Sequence, residues 1–339
     1  MGAVQAAQIR VEPGAFAAAA GDESAFAELT ERYRRELQVH CYRMLGSFEE
    51  SEDLVQETFL RAWRRRGTFE GRSTFRAWLY AIATNACLDA LERRPRLVST
   101  HAGAQPLAEI PWLQPYPDQL LEGIASSEDE PVAALVAKET IELAFIAAIQ
   151  LLPPRQRVAL IARDVLGWSA AETAALLDVS VAAVNSALQR ARATLKKHLP
   201  RRRLDWTQGP DPTEEERALL QRYVDATERG DAAEMVELMR EDAFFAMPPE
   251  AEWYVGRVEI VDAWVKGGFG SESFGHLRCL LTRVNAQPAV AVYLRRPDEP
   301  EYRPLAIDVL RIEAGQVVEI TAFDLDDALL AALGLPPTL

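Results

Sequence analysis

Proline- and glycine-rich stretches divide the chain into segments that cannot belong to one continuous helix or sheet. Four prolines fall between residues 106 and 117, and Gly209-Pro210-Asp211-Pro212 forms a second interruption. Since such stretches are typical of linkers and turns, we expect the 339 residues to form several domains. The predicted parts are an N-terminal extension, a helical module, a linker, a second helical module and a C-terminal domain, at residues 1–23, 24–95, 96–130, 131–203 and 210–339 respectively.

Both modules that precede Gly209 have apolar residues at helical spacing. The first is predicted to contain three helices, at residues 24–46, 47–66 and 75–94, of which the second opens with a capping box of Ser47 and Glu50. In the second module we predict helices over residues 132–152 and 154–166. Its last two helices are a short one, opened by a Ser169–Glu172 capping box, and a longer one capped by Ser180.

The pattern changes after Gly209. Two amphipathic helices, Glu214–Arg229 and Asp231–Arg240, precede a series of strand-like segments. These segments are Ala243–Met247, Leu277–Val284, Ala289–Leu294, Leu305–Ile312 and Val317–Phe323, the last two joined by the turn Glu313-Ala314-Gly315. The order predicts a multi-domain protein with two all-α domains and a C-terminal α+β domain.

Charge is distributed unevenly along the chain, whose net charge is −14. Residues 131–203 contain 11 basic and 5 acidic residues, whereas residues 204–339 contain 12 basic and 26 acidic residues. The basic excess of residues 131–203 suggests a nucleic-acid contact in the second helical module.

Cysteine and histidine usage argues against metal and redox chemistry. Cys41, Cys87 and Cys279 have no paired spacing, and only four histidines are present. We therefore expect no disulfide framework, no metal site, no cofactor and a reducing cytoplasmic location. The sequence has no signal-peptide pattern and no run of about 18 apolar residues, so we expect no membrane association.

The segment Ser169–His198 has the pattern of a helix-turn-helix. On its second helix the residues predicted to face the core are Val181, Val184, Leu188, Ala191 and Leu195. The residues left for a DNA groove are Ser180, Ala182, Ala183, Asn185, Ser186, Gln189, Arg190, Arg192 and Lys196. A helical hairpin with a solvated charged face explains the same spacing.

A loop in the first module, Gly67–Thr74, combines Phe69 with Arg72 and Ser73 between glycines. Aromatic and basic side chains on a loop suit single-stranded DNA, because bases stack on rings and phosphates attract cations. An ordinary surface loop is the alternative interpretation.

Two motifs resemble extracytoplasmic-function sigma factors of the sigma-70 family. Ser47–Trp63 (SFEESEDLVQETFLRAW) with Phe75–Asp89 (FRAWLYAIATNACLD) resembles their region two, and Leu152–Gly167 (LPPRQRVALIARDVLG) with the helix-turn-helix resembles their region four. The C-terminal domain resembles the cone-like SnoaL-like domains of the NTF2 superfamily. The likeness lies in Met247–Gly256 (MPPEAEWYVG), in the turn Asn285-Ala286-Gln287-Pro288 and in the closing segment from Phe323 to Leu335-Pro336. The resemblance implies a transcription initiation factor that is not an enzyme.

The resemblance also implies partners and roles. Core RNA polymerase would be bound through its β′ and β subunits. The β′ subunit would contact the helix that contains Asp53, Leu54, Gln56, Glu57, Leu60 and Arg61. The minus-ten promoter element would be bound by Phe69, Arg72, Ser73, Arg76 and Asn85, with Asn85 holding a flipped base. The helix from Ser180 would read the minus-thirty-five element, and Trp112 and Tyr116 of the linker would enter a polymerase channel.

The C-terminal domain has candidate pocket residues but no defined catalytic set. They are Trp253, His276, Tyr293, Asp308 and Asp324. We expect the two acids to lie on exposed strand faces rather than in a pocket. We also expect this acidic domain to contact the helical modules and regulate them in cis. Two alternative functions are a SnoaL-type isomerase or hydrolase with helical targeting modules, and a helix-turn-helix repressor with a sensor domain.

Overall fold

A computed structural model describes residues 12–94, 110–121, 140–199, 212–250 and 252–339 of the chain. These residues form two compact units. The first contains residues 12–94 and 149–195, and the second contains residues 110–121, 140–148 and the described residues from 196 onward. The boundary between the units passes through one helix, Leu143–Gln150.

The first unit begins with four helices, and the three predicted ones are confirmed. They are α1 (Ala15–Ala20), which was not predicted, α2 (Glu23–Leu45), α3 (Phe48–Arg65) and α4 (Phe75–Arg93). Ser47 caps α3 by accepting a hydrogen bond from the Glu50 N–H at 3.3 Å. The second half of the predicted capping box is replaced, because the Glu50 carboxylate binds the Arg94 guanidinium instead.

The second helical segment contains α5 (Leu143–Gln150), α6 (Pro154–Leu160), α7 (Ala170–Leu177) and α8 (Val181–His198). The predicted capping box of α7 is present, with Ser169 and Glu172 hydrogen-bonded reciprocally at 3.1 and 2.7 Å. The long helix predicted over residues 132–152 begins only at Leu143 among the described residues, because residues 140–142 form a turn. Residues 131–139 and the basic run at 201–203 lie outside the described residues.

The C-terminal domain is a mixed six-stranded sheet packed against helices. Its helices are α9 (Glu214–Arg229), α10 (Ala232–Leu238), α11 (Arg257–Lys266) and α12 (Asp327–Leu333). Its strands are β1 (Met239–Ala246), β2 (Trp253–Val255), β3 (His276–Val284), β4 (Gln287–Arg295), β5 (Arg303–Glu313) and β6 (Gln316–Asp324). The order across the sheet is β2-β1-β6-β5-β4-β3, and only β1 and β6 among these neighbours run parallel.

Most of this domain matches the sequence prediction, and two parts do not. The predicted helix Asp231–Arg240 is shorter, because Asp231 is its N-cap and Met239 already pairs with Val317 of β6. The short strand β2 and the helices α11 and α12 were not predicted. The turn at residues 313–315 is confirmed, with Ala314 and Gly315 in the left-handed conformation that such hairpins require.

Part of the proline-bearing linker is bound to the C-terminal domain at the β3–β4 turn. The Asn285 Oδ1 atom accepts from the Tyr116 N–H at 2.7 Å, and the Asn285 N–H donates to the Tyr116 carbonyl at 2.9 Å. The Nδ2 atom of the same side chain donates to the Ile141 carbonyl at 2.6 Å. The Asp118 Oδ1 atom accepts a further hydrogen bond from the Ala286 N–H at 2.7 Å.

This arrangement makes Asn285 a junction between two chain segments. It is fully buried and adopts a φ of +54°, a conformation that asparagine tolerates better than most residues. Tyr116 is fully buried as well. The described linker residues therefore form part of the second compact unit.

We predict that Asn285→Gly releases the linker from the β3–β4 turn. Glycine keeps the left-handed backbone but removes both side-chain hydrogen bonds, so exchange of the Tyr116 amide hydrogen should accelerate by about fivefold or more. Hydrogen–deuterium exchange of the full chain measures this. Ala314→Gly, in the other left-handed hairpin turn, is the matched control and should leave Tyr116 unchanged. Equal protection in both variants would contradict the assignment.

Candidate nucleic-acid interface

The helices α7 and α8 form a helix-turn-helix with a well-defined turn. Asp178 ends α7 with a φ of +50°, and the Ser180 hydroxyl accepts from the Ala183 N–H at 3.2 Å to begin α8. Four of the five residues predicted to face the core are buried, namely Val184, Leu188, Ala191 and Leu195. Val181, the first residue of α8, is instead 43% exposed.

The opposite face of α8 is open to solvent over its whole length. Every residue predicted to reach DNA is exposed: Ser180, Ala182, Ala183, Asn185, Ser186, Gln189, Arg190, Arg192 and Lys196. The two arginines differ in their surroundings. Arg192 forms a bidentate pair with Asp164 at 2.9 and 2.6 Å, and these hydrogen bonds raise the pKa of the Arg192 guanidinium. Arg190 has no ion-pair partner among the described residues.

The Gly67–Thr74 loop presents a cation but not its aromatic ring. Phe69 is only 6% exposed, and its ring lies 5.5 Å from that of Phe75 and 5.7 Å from that of Trp78. An apolar cluster at the base of the loop holds the ring, which corrects the expectation of a surface stacking residue. The Arg72 side chain is 82% exposed and pairs with Glu70 at 2.5 Å, whereas Ser73 is half-buried.

Helix α4 places the remaining minus-ten candidates at different depths. Asn85 is exposed and available to a ligand. The Arg76 guanidinium pairs with Glu36 at 2.7 Å and lies 4.8 Å from the centre of the Tyr80 ring. Burial acts to lower the pKa of Arg76, but the nearby Tyr80 and Glu36 outweigh it and raise that pKa.

The N-terminal extension contributes Glu12, a residue that no local sequence pattern marks as functional. The Glu12 carboxylate accepts hydrogen bonds from the backbone N–H groups of Phe75 at 2.8 Å and Arg76 at 3.2 Å. It therefore caps the N-terminus of α4, where a negative charge is stabilised. Burial acts to raise the pKa of Glu12, but these backbone hydrogen bonds outweigh it and lower that pKa.

Helix α3 carries an exposed stripe on one side. Asp53, Gln56 and Leu60 lie three to four residues apart and are all exposed, with Leu60 at 52%. Leu54 and Glu57 are half-buried beside them. Arg61 is fixed by Glu57 at 2.8 Å and by Asp89 of α4 at 2.6 Å, and these hydrogen bonds raise the pKa of its guanidinium.

The five candidate pocket residues of the C-terminal domain are not brought together. Side chains alternate between the two faces of a sheet, and the register places Asp308 opposite Val290 on the face packed against α9. Trp253, His276 and Tyr293 lie on the other face, where the Tyr293 hydroxyl donates to the Pro336 carbonyl at 2.8 Å. Asp324 is exposed at the end of β6.

Asp308 has partners that the sequence did not reveal. Its carboxylate accepts from the Tyr223 hydroxyl of α9 at 2.9 Å, and Cys279 and Glu228 lie nearby. Burial raises the pKa of Asp308 to about 6, although the Tyr223 hydrogen bond acts against this rise. Burial, and then the charges of Asp308 and Glu228, raise the pKa of the Cys279 thiol. Asp308 is half-buried among apolar residues, which excludes a fully solvated strand face for it.

The described residues contain no single helix that could span a membrane and no side-chain cluster that could hold a metal ion. No single helix there is both long and apolar enough to cross a membrane. The helices α7 and α8 taken together have the length and composition of a span, but they are bent relative to each other by 98°. No group of three or more His, Cys, Asp or Glu side chains in the described part of the chain is arranged to hold a metal ion.

Comparisons with known proteins match all three parts of the chain. Family models for Sigma-70 region 2, Sigma-70 region 4 and a SnoaL-like domain match residues 29–97, 142–195 and 220–320. The ECF RNA polymerase sigma factor SigG of Mycobacterium tuberculosis strain H37Rv is 42% identical over 324 residues, covering 93% of this chain and 85% of SigG. SigW of Bacillus subtilis strain 168 is 30% identical over 179 residues, covering 53% of this chain and 91% of SigW.

A solved structure shares the fold of this chain. The crystal structure of the extracytoplasmic function sigma factor SigJ of M. tuberculosis matches with a TM-score of 0.58 at 23% identity. The match covers 91% of this chain and 99% of SigJ, and shows the shared fold.

The helix-turn-helix, the region-two helices and these relatives define a bacterial transcription factor of the sigma class. The chain belongs to the family of ECF RNA polymerase sigma factors, with a SnoaL-like domain at its C-terminal end. The sequence-based assignment to this family is thereby confirmed, as is the predicted fold class.

We predict that Asp308→Asn stabilises the chain at high pH only. The pKa of Asp308 in the folded state, about 6, exceeds its ordinary value of 3.8. Folding therefore favours the protonated form, and wild-type stability falls as the pH rises through this range. The variant cannot ionise, so it should unfold at a temperature roughly 3 °C or more above wild type at pH 8.

The pH dependence of this difference separates ionisation from packing. The difference between Asp308→Asn and wild type should vanish near pH 4, where the wild-type carboxyl is protonated. Asp324→Asn, on an exposed position of the neighbouring strand, is the matched control and should show no such difference. A constant difference at every pH would contradict the effect of burial on Asp308.

Proposed function

We propose that this sigma factor reads the two promoter elements with separate modules. Region four inserts α8 into the major groove of the minus-thirty-five element. The observation that carries this proposal is the continuous exposed face of α8, on which small residues at the N-terminal end are followed by arginine and lysine. Ala183 and Asn185 contact base edges, and Arg190 and Lys196 contact phosphates.

Polymerase binding is assigned to helix α3. The exposed stripe of Asp53, Gln56 and Leu60 combines an apolar side chain with charged and polar neighbours, a composition that suits a protein interface. Leu54, Glu57 and Arg61 border the stripe. The β′ subunit of core polymerase is the proposed partner of this helix, and the β subunit is a further proposed partner of the protein.

Promoter opening is assigned to α4 and the loop that precedes it. Asn85 is exposed and holds a base flipped from the minus-ten strand, since an amide can pair with a free base edge. Arg72 and Ser73 contact the backbone beside it, and Arg76 contributes positive potential. Phe69 acts by fixing the base of the loop through its ring contacts rather than by stacking on DNA.

The C-terminal domain is proposed to regulate these steps in cis and to have no enzymatic activity. The contacts of Asn285 with Tyr116 and Ile141 support this role, because they bind the linker between regions two and four to that domain. A linker held there cannot at the same time lie in a polymerase channel. All of these steps take place in the cytoplasm, where polymerase and promoter DNA are found.

The Tyr223–Asp308 pair favours a second candidate role for the same domain. A half-buried carboxyl and a buried phenol on an otherwise apolar face offer hydrogen bonds to a small ligand. Binding of that ligand would then be the signal that regulates the sigma modules. Isothermal titration of wild type and Asp308→Asn with candidate ligands tests it, and equal heats for both proteins would contradict it.

We predict that Leu60→Asp weakens binding to core polymerase by at least about tenfold, because it places a charge in the apolar centre of the interface. Fluorescence titration of labelled full-length protein with core polymerase measures the affinity. Val258→Asp is the matched control, since Val258 is 56% exposed on a helix of the C-terminal domain. If both variants bind as wild type does, α3 is not the docking surface.

We predict different salt dependences for the two arginines of α8. Removing one phosphate contact lowers the slope of log K against log salt by about 0.9, and Arg190→Ala should show this change on promoter DNA. Arg192→Ala should lower the slope less, because the Arg192 charge is already balanced by Asp164. Titration of the holoenzyme at several salt concentrations measures both. A change of sequence preference in Arg190→Ala at unchanged slope would reverse the assigned roles.

A further inference from the structure

The C-terminal end of α2 is capped by side chains from both helical regions. The last carbonyl groups of a helix have no partner within it and must be satisfied otherwise. The Leu45 carbonyl accepts from Arg94 of region two at 2.7 Å. The two preceding carbonyls, of Arg43 and Met44, instead accept from Gln150 at 3.2 Å and from the Arg157 guanidinium.

Arg157 is held by neutral oxygen atoms rather than by a carboxylate. It is 3% exposed, and its guanidinium also donates to Gln150 Oε1 at 2.6 Å, to the Gln150 carbonyl at 2.8 Å and to the Leu152 carbonyl at 3.3 Å. No carboxylate pairs with it in the described part of the chain. Burial, and then the nearby Arg94 cation, lower the pKa of Arg157 to about 9.

A buried cation of this kind is stabilised chiefly where its donors meet acceptors of matching geometry. The C-terminus of a helix provides such acceptors, since its free carbonyl groups carry partial negative charge. Arg157 therefore depends on α2 for part of its stabilisation, and α2 depends on Arg157 and Gln150 for two of its end groups. These contacts join region four to region two directly.

Two further contacts occur at the same junction. Gly46 follows α2 with a φ of +74°, and a Cβ atom at this position would lie 3.1 Å from the Gln150 side chain. The rings of Tyr80 in α4 and Trp168 before α7 have their centres 6.0 Å apart. Region four therefore contacts region two through its first helices and through the start of its helix-turn-helix.

This closed arrangement cannot read both promoter elements at once. The minus-ten and minus-thirty-five elements are about 25 base pairs apart, which at 3.4 Å per base pair is about 85 Å along the DNA. A compact module of some 50 residues has a radius of gyration of about 10 Å, so two modules in direct contact cannot span that distance. Regions two and four must separate when the promoter is bound.

We propose that Arg157 and Gln150 form a latch on the C-terminus of α2 that holds regions two and four closed in the free protein, and that opening of this latch precedes promoter recognition. The proposal rests on the proposed assignment of one promoter element to each region. The latch adds an energetic cost to the separation of regions two and four, and this cost is distinct from any effect of the C-terminal domain. Breaking the latch favours the open form, because the α2 carbonyls and the side chain at position 157 can then be solvated.

The distance between the two regions in the free full-length protein tests the latch. Spin labels attached at Glu28→Cys and Ala175→Cys, both exposed positions, report this distance by pulsed electron paramagnetic resonance. Cys279→Ser removes the half-buried native thiol, and Cys41 and Cys87 are buried. Arg157→Met should raise the ratio of open to closed molecules by about tenfold, the effect expected from losing a charge-assisted hydrogen bond. Arg155→Met, at an exposed position of the same helix, should leave the distances unchanged.

A second variant approaches the latch from region two and leaves Arg157 intact. Gly46→Asn keeps a left-handed conformation that asparagine tolerates but forces its side chain against Gln150, so it should also open the protein. Gly167→Asn is its matched control, because Gly167 has a φ of +68° and no neighbour within 4 Å of an added Cβ. Gly46→Asn decides the question if Arg157→Met does not fold. A closed distance distribution in folded Gly46→Asn, or in folded Arg157→Met, would overturn the proposal.

The outcome for the latch is independent of the proposed promoter assignments. The distance measurement in the free protein requires neither DNA nor polymerase. The latch can therefore be disproved while the promoter assignments stand. Run-off transcription with the unlabelled variants tests the promoter assignments separately. If the variants open the latch as proposed but neither region recognises its promoter element, the proposed function is wrong and the proposal of the latch stands.

Discussion

The hydrogen-bonding demands of helix ends determine much of the first unit. Asp22, Ser47, Thr74, Ser169 and Ser180 each accept a backbone N–H bond at the start of a helix. The C-terminus of α2 is satisfied by side chains far along the chain, and these fix how region four contacts region two. The same principle that forms each helix thus also assembles the two regions.

Local patterns predicted the helices well because their signals lie within a few residues of one another. The helix-turn-helix, its capping box and the buried positions from Val184 to Leu195 were all evident from spacing. Contacts between distant segments were not evident. Glu12 capping α4 and Tyr223 bonding Asp308 involve residues 63 and 85 positions apart, and no local pattern records such a pairing. Phe69 was misjudged for the same reason, since its ring partners come from a different helix.

The C-terminal domain shows why strand alternation alone could not define its interior. The five candidates were chosen as polar or aromatic residues near strands, but Tyr293 and His276 lie on the face opposite Asp308. Which face of a strand meets the helices depends on register and on the bulge between Val292 and Tyr293. Asn285 gave a local signal, a turn residue at the end of a strand, but its contacts with Tyr116 and Ile141 depend on the tertiary fold.

Every proposed residue role in regions two and four depends on promoter-specific initiation by this protein. Run-off transcription by core polymerase with the full-length chain, combined with permanganate footprinting of the minus-ten region, measures it most directly. We expect a specific transcript and reactive thymines with wild type, and weak thymine reactivity with Asn85→Ala on DNA that is still bound. Absence of any promoter-dependent transcript, or full reactivity with Asn85→Ala, would contradict it.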